Sequence, residues 1–325
     1  MQTRRHMLGA LGAGALVSSF PISAQPAPVR VAWMSPTSSS DGSPFLDELR
    51  RSLHEIGHIE GRNFSLEAYW GDDSTERIAK LAAEVVASKP QLIVAQGSTA
   101  VVMRKMTTEI PVVFGYSGDP VLAGLVESLA RPGRNMTGIT YMALEYAGKR
   151  IQLMKELLPS LKQIAVVANP QHPGDQAERH ASQTAADVLG IKLAYFEAGS
   201  PAQLSEAMSA IEKSGSGAVV MFPVQNVMRN RERIAAWSIK HRLPVASGWT
   251  QFVEGGNLMS YGPNLRATSQ RLAYYVDRIL KGNKPADLPV EMPLRVELAI
   301  NLKTAKALHL KVPGAIMLRA EQVIE

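Results

Sequence analysis

A chain of 325 residues is too long for one small core and suits two α/β lobes of ordinary size. Hydrophobic residues at 46% and charged residues at 20% exclude a disordered chain, and the net charge of +6 comes from scattered Lys and Arg, which argues against a nucleic-acid surface. The absence of cysteine excludes disulfides, thiol catalysis and cysteine-ligated metals.

The first two dozen residues read as a targeting segment. Arg4, Arg5 and His6 form a basic end, Met7 to Val17 is apolar, and Ile22-Ser23-Ala24 offers a small-residue cleavage site, so mature sequence is expected near Gln25. The run Thr3 to Leu8 also resembles a twin-arginine signal, with ordinary secretion as the other route. The apolar run is too short and too interrupted for a membrane span. Export without disulfides fits a bacterial periplasm.

From there, apolar strands alternate with amphipathic helices. Val29 to Met34 is the first strand, spilling into a hydroxyl-rich loop that holds Ser38, Ser39 and Ser40. Phe45, Leu46, Leu49, Leu53 and Ile56 recur at helical spacing, and Gly57 closes that helix. A strand at Phe64 to Ala68 is followed by Asp73 and Glu76, which read as a capping box. Gln91 to Gln96 and Val112 to Phe114 are further strands, the first running into Gly97-Ser98-Thr99 and a helix. A short helix is expected after Pro120, then an extended Thr137 to Tyr141.

A second series begins after Tyr141. Strands are predicted at 164–168, 192–196, 218–221 and 245–247, with a helix start at Ser200, Pro201 and Gln203. Leu258 to Tyr261 reads as a crossing, followed by a long helix stopped at Gly282 and a linker over 285–289. The expected organisation is therefore lobe 1 at 28–139 plus 263–287 and lobe 2 at 143–259 plus 289–325.

In open α/β sheets the ligand lies beyond the carboxyl ends of the strands, and those ends carry the candidate residues. Asp119 follows a strand and precedes a proline, so it either caps the next turn or meets a ligand ammonium, with Ser117 as the alternative cap. Ser98 and Thr99 either cap their helix or, with its backbone N–H groups, cradle an anion. Ser38 and Ser40 are lesser hydroxyl candidates. Tyr116, Tyr141, Phe222, Trp249 and Tyr261 all sit at strand ends or crossings, and suggest flat faces lining a cleft. Asn169, Pro223, Gln225 and Asn226 complete the rim of the second lobe.

Catalytic patterns are missing. His54 and His58 are spaced i,i+4 without an HExxH pattern, and neither a Gly-x-Ser-x-Gly elbow nor a GxxxxGK[ST] loop occurs. No enzyme, metal or cofactor is expected.

Several stretches together resemble one family. They are 55–63 (EIGHIEGRN), 118–121 (GDPV), 128–138 (SLARPGRNMTG), 255–264 (GGNLMSYGPN), 275–282 (YVDRILKG) and 300–306 (INLKTAK). The chain resembles the extracytoplasmic substrate-binding proteins of ABC transporters, in the branch that includes binders of tryptophan and other aromatic amino acids. The resemblance implies a type I periplasmic-binding-protein-like fold, with two doubly wound parallel-sheet lobes joined by a three-strand hinge and closing on a ligand. It implies an inner-membrane permease with its ATPase as partners and a monomeric binding protein, without nucleic acid. It favours Asp119 as the ammonium contact of an amino acid with an aromatic or branched side chain. An aromatic carboxylic acid or another small solute remains the alternative ligand, and a sensor domain or extracytoplasmic hydrolase the alternative class.

Overall fold

The structure is a computed structural model that describes residues 28–39, 44–141, 144–293 and 295–325. The targeting segment, the site of its cleavage, Ser40 and Leu294 lie outside the described residues.

Lobe 1 is one five-stranded sheet built from β1 (Val29–Ser35), β2 (Phe64–Trp70), β3 (Leu92–Gln96), β4 (Val112–Tyr116) and β5 (Met136–Thr140). The order is β2-β1-β3-β4-β5 and every pairing is parallel. The helices α1 (Pro44–Glu55), α2 (Thr75–Ser88) and α3 (Ser98–Met106) are the crossovers. Alternation along each strand divides the core in two. Val31, Trp33, Val94, Val113 and Ile139 pack on the face covered by α1, whereas Ala32, Met34, Ile93, Ala95 and Phe114 pack with α2 and α3.

Lobe 2 begins with α4 (Leu144–Leu157), β6 (Gln163–Ala168), α5 (Asp175–Leu189), β7 (Lys192–Glu197), α6 (Pro201–Glu212) and β8 (Ala218–Met221). It continues through α7 (Gln225–Arg229), α8 (Arg231–His241), β9 (Val245–Ser247), α9 (Thr250–Glu254) and β10 (Met259–Pro263). The chain then returns to lobe 1 as α10 (Leu265–Leu280), whose buried stripe Leu272, Tyr275, Val276 and Ile279 packs beside α1. His58 Nε2 lies 3.0 Å from Asp277 Oδ1 and ties the end of α1 to that helix. The chain ends in lobe 2 with β11 (Val296–Asn301), α11 (Leu302–Ala307), α12 (Gly314–Met317) and β12 (Gln322–Ile324). The second sheet runs β12-β11-β10-β9-β8-β6-β7, parallel except where β10 meets β11.

Four local expectations change. Ser74, not Asp73, caps α2, with its side chain accepting from Arg77 N at 3.2 Å, because Asp73 takes a left-handed φ of 55°. No helix forms after Pro120: Leu125 N bonds back to Pro120 O, and the segment closes as turns. Val290 and Glu291 hydrogen-bond to Leu129 and Gly138, so the last crossing follows Glu291 instead of running over 285–289. Pro263 pairs with Val296 inside the second sheet, which moves the previous crossing past 263.

Candidate ligand site between the lobes

Every strand-end loop that reaches the space between the sheets leaves the carboxyl edge of its sheet. Residues 35–37 follow β1, 96–98 follow β3, 115–117 end β4 and Tyr141 follows β5. From the other side come 169–173 after β6, Gly199 after β7, 223–226 after β8 and Trp249 after β9. They enclose a cavity of about 260 Å³.

The lobes touch around this cavity. Trp249 stands edge-on to Phe45 of α1, with ring centroids 5.1 Å apart, and edge-on to Tyr141 at 5.7 Å. The loop Ser117-Gly118 meets Pro173-Gly174 backbone to backbone. A Cβ on Gly118 would lie 3.0 Å from Pro173 O, and one on Gly174 would lie 3.0 Å from Ser117 O. Arg229 Nη1 reaches across to Asp73 Oδ2 at 3.8 Å. The structure is thus a closed form.

The polar lining differs between the two sides. On lobe 1, Trp33 Nε1, Gln96 Nε2 and Tyr141 Oη are buried and have no hydrogen-bond partner. Gln96 lies opposite Gly115, and Gly115 opposite Ile139, so these side chains share a sheet face with Trp33 one pair earlier and Tyr141 one residue pair later. The α3 N-terminus opens beside them, with Gly97 in the cap position and no side-chain cap. Ser35 Oγ and Thr37 Oγ1 pair with each other at 2.9 Å.

On lobe 2, Asn226 Nδ2 donates to Ala198 O at 3.1 Å, and its Oδ1 accepts from Asn230 Nδ2 at 3.1 Å. Asn169 Oδ1 accepts from Gln171 N at 3.0 Å. His172 Nδ1 accepts from Gly174 N at 3.3 Å, which leaves Nε2 as the protonated nitrogen. Burial pushes the His172 pKa down to about 4, so the ring is neutral near pH 7. The described lining contains neither Lys nor Arg, and its one carboxylate is Asp73.

Eight expected residues, Ser98, Ser117, Tyr141, Asn169, Pro223, Gln225, Asn226 and Trp249, line the cavity. Six described candidates do not, and one of them, Phe222, is fully buried in the core of the second lobe. Asp119 is exposed, and its Oδ1 accepts from Val121 N at 2.8 Å and Leu122 N at 3.1 Å, so its carboxylate serves its own turn and has no place in the lining. Thr99 is fully buried and donates to Gln96 O at 2.8 Å, inside the helix start. Tyr116 points to the opposite face, into the core with Phe114 and Met136, where burial and then the Asp119 charge raise its phenol pKa. Tyr261 stacks edge-on with Tyr146 at 6.2 Å on the far face of the second sheet. Ser38 is half-buried outside the lining.

The residues that sequence reasoning passed over are Trp33, Phe45, Gln96 and His172. Gln96 carried a readable signal, a lone amide ending the otherwise apolar Leu92 to Ala95.

Behind the site, on the hinge side of lobe 2, Arg150 and Glu178 are both buried with Nη1 and Oε1 3.5 Å apart. Arg150 Nε also donates to Tyr261 O at 2.9 Å, tying α4 to β10 at the crossing. Burial raises the Glu178 pKa to about 7 against the pull of Arg150, and lowers that of the guanidinium.

The family description "ABC transporter substrate binding protein" matches residues 44–324. The chain belongs to the ABC transporter substrate-binding protein family. This substrate-binding protein is 23% identical over 275 residues to a tyrosine-binding protein of Clostridioides difficile strain R20291, across 82% of this chain and 78% of that one. Among solved structures, a conserved domain protein from Vibrio cholerae O1 biovar El Tor superposes with a TM-score of 0.82 at 28% identity, covering 91% and 99% of the two chains. An ABC domain from Streptococcus pneumoniae in complex with L-Trp gives 0.80 at 21% identity, covering 92% and 100%. The fold is that of type I-like periplasmic binding proteins. No described helix of this binding protein is long and apolar enough to cross a membrane.

Proposed function

We propose that the protein is the periplasmic, monomeric capture component of an ABC importer, and that it closes over an amino acid with an aromatic side chain before delivering it to an inner-membrane permease. The observation that carries the ligand class is the lining: Trp33, Phe45, Tyr141 and Trp249 line one cavity between the lobes, together with neutral amides and hydroxyls. Such faces hold a ring through edge and stacking contacts and by removing apolar area from water. The tyrosine-binding relative and the L-Trp complex point the same way. The absence of Lys and Arg from the described lining disfavours multiply charged ligands such as phosphates.

One observation favours a second ligand class. Asp73 already faces Arg229, and Asp119 caps its own turn, so no described carboxylate is dedicated to an ammonium. An aromatic carboxylic acid fits that arrangement, with the acid at the α3 start and the ring against the Phe45, Tyr141 and Trp249 cluster. A thermal-shift screen across amino acids, aromatic acids, sugars and nucleobases tests the reading, because a ligand of the folded state raises its melting point by mass action. Aromatic amino acids or aromatic acids should give the largest shifts. A response confined to sugars or nucleobases contradicts both classes.

A further inference from the structure

Three buried donor groups with nothing to donate to are unusual in a folded protein, because each unpaired group loses its hydrogen bonds to water without replacement. Buried unpartnered donors also occur at Ser52, Arg150, Ser182 and Ser260, but these three stand together. Trp33, Gln96 and Tyr141 leave three strands of one sheet, share one face, and line one cavity. Each is more than nine-tenths buried: Trp33 is 1% exposed, Gln96 9% and Tyr141 7%. An indole N–H can only donate, an amide NH2 offers two donors, and a phenol can donate. The partner that satisfies all three is an acceptor-only oxygen group.

Gly115 shows why the space exists. A Cβ there would lie 2.5 Å from Gln96 Oε1 and 2.6 Å from Tyr141 Oη. Any side chain would push the amide and the phenol out of place, and Gly115 has none of the left-handed backbone that would otherwise call for glycine. The uncapped α3 N-terminus beside it adds partial positive charge.

We propose that Trp33 Nε1, the Gln96 amide and the Tyr141 hydroxyl form a carboxylate subsite, and that Gly115 is the position that keeps it open. This rests on the reading of the cavity as the site for a small aromatic ligand, and it assigns the end of the ligand that the relatives' names leave unstated. Lobe 1 reads the acid by hydrogen bonds alone.

The test uses the exported protein and three indole probes: L-tryptophan, indole-3-propionate, which lacks the amino group, and tryptamine, which lacks the carboxylate. Calorimetry should show L-tryptophan or indole-3-propionate binding at least about tenfold tighter than tryptamine. Gln96→Leu, Tyr141→Phe and Gly115→Ala should each weaken the acid-bearing probe about tenfold or more. Ligand-free Tyr141→Phe should melt at or above the parent temperature, since the lost hydroxyl had no partner within the protein. Tryptamine binding as tightly as the acids, or unchanged affinity in all three variants, overturns the subsite. A ligand-free Tyr141→Phe that melts well below the parent also overturns it, because the hydroxyl is then serving the fold. If no indole compound binds the parent, the aromatic reading fails separately, and the same variants are measured with the tightest binder of the wider screen. A carboxylic acid that loses affinity in them keeps the subsite, and a sugar or nucleobase as that binder removes it.

Discussion

The two walls of the cleft use polar residues in opposite ways. Lobe 1 presents Trp33, Gln96 and Tyr141 with buried, unpartnered donors, whereas lobe 2 presents Asn169, whose Oδ1 accepts from Gln171 N, and Asn226, whose amide bonds Ala198 O and Asn230. A group satisfied inside the protein fixes a loop, and a group left unsatisfied waits for a ligand. The difference teaches a division of labour: lobe 1 holds the polar end of the ligand, and lobe 2 supplies a shaped, mostly apolar cover of Pro223, Val224 and Trp249.

Trp249 is where this division is easiest to break. It contacts both Phe45 and Tyr141 across the cleft, so Trp249→Ala removes the cover and part of the closed contact together. Loss of such a central tryptophan typically costs about 2 kcal/mol or more, roughly thirtyfold in affinity. Calorimetry with the best aromatic ligand should show that weakening with the Gln96 subsite intact, and parent-like affinity would place the ring elsewhere.

Asn226 separates the two uses of polarity. Replacing it with Ala strands Ala198 O, while the Asn230 amide keeps the Asn226 backbone carbonyl at 2.9 Å, so the loss is about 1–3 kcal/mol of stability by the usual cost of a buried group losing its partner. Denaturant melts should show that loss, with affinity at saturating ligand changed little. The reverse pattern would make lobe 2 a polar reader as well.

Two titrating groups of lobe 2 give it a pH signature of its own. Glu178, raised to about 7, is protonated more readily folded than unfolded, so its contribution is present below about pH 4.5 and lost as pH rises to 7. His172, lowered to about 4, works oppositely: the unfolded chain takes the proton first, and stability grows as pH rises from 4 to 6.5. The two slopes have opposite signs, so the pair offsets between pH 4.5 and 6.5. His172→Gln should leave stability falling with pH across that window, and Glu178→Gln should leave it rising. Denaturant melts at pH 4.5, 5.5 and 6.5 would contradict this if both variants ran parallel to the parent.

Asp119 gives the smallest effect. Asp119→Ala removes a cap that takes two backbone N–H groups, worth about 1 kcal/mol of stability, and should leave ligand affinity unchanged. A tenfold loss of affinity would return Asp119 to the site.

What was legible in the chain follows from periodicity. Apolar runs bounded by polar loops located the strands, and Ser200, Pro201 and Gln203 marked a helix start that the structure reproduces, with Ser200 Oγ accepting from Gln203 N at 3.2 Å. Strand-end loops could likewise be named, which is why Ser98, Ser117, Asn169, Gln225 and Trp249 were within reach. Parity was not legible. One residue along a strand reverses the face, so Tyr116 went to the core while its neighbour Gly115 faced the cavity. The same one-residue uncertainty hid Trp33, which reads as an ordinary core aromatic until the loops above it are placed. Asp119 misled because a cap and a ligand contact need the same residue type in the same place, and only its bonds to Val121 and Leu122 distinguish them.

Closure is the claim on which the shared cavity depends, and small-angle scattering measures it directly. The mature protein should show a larger radius of gyration alone than with saturating aromatic ligand, as contacts such as Phe45 to Trp249 and Asp73 to Arg229 form. A radius unchanged at saturation, with binding confirmed in the same sample, would contradict a cleft that closes over its ligand.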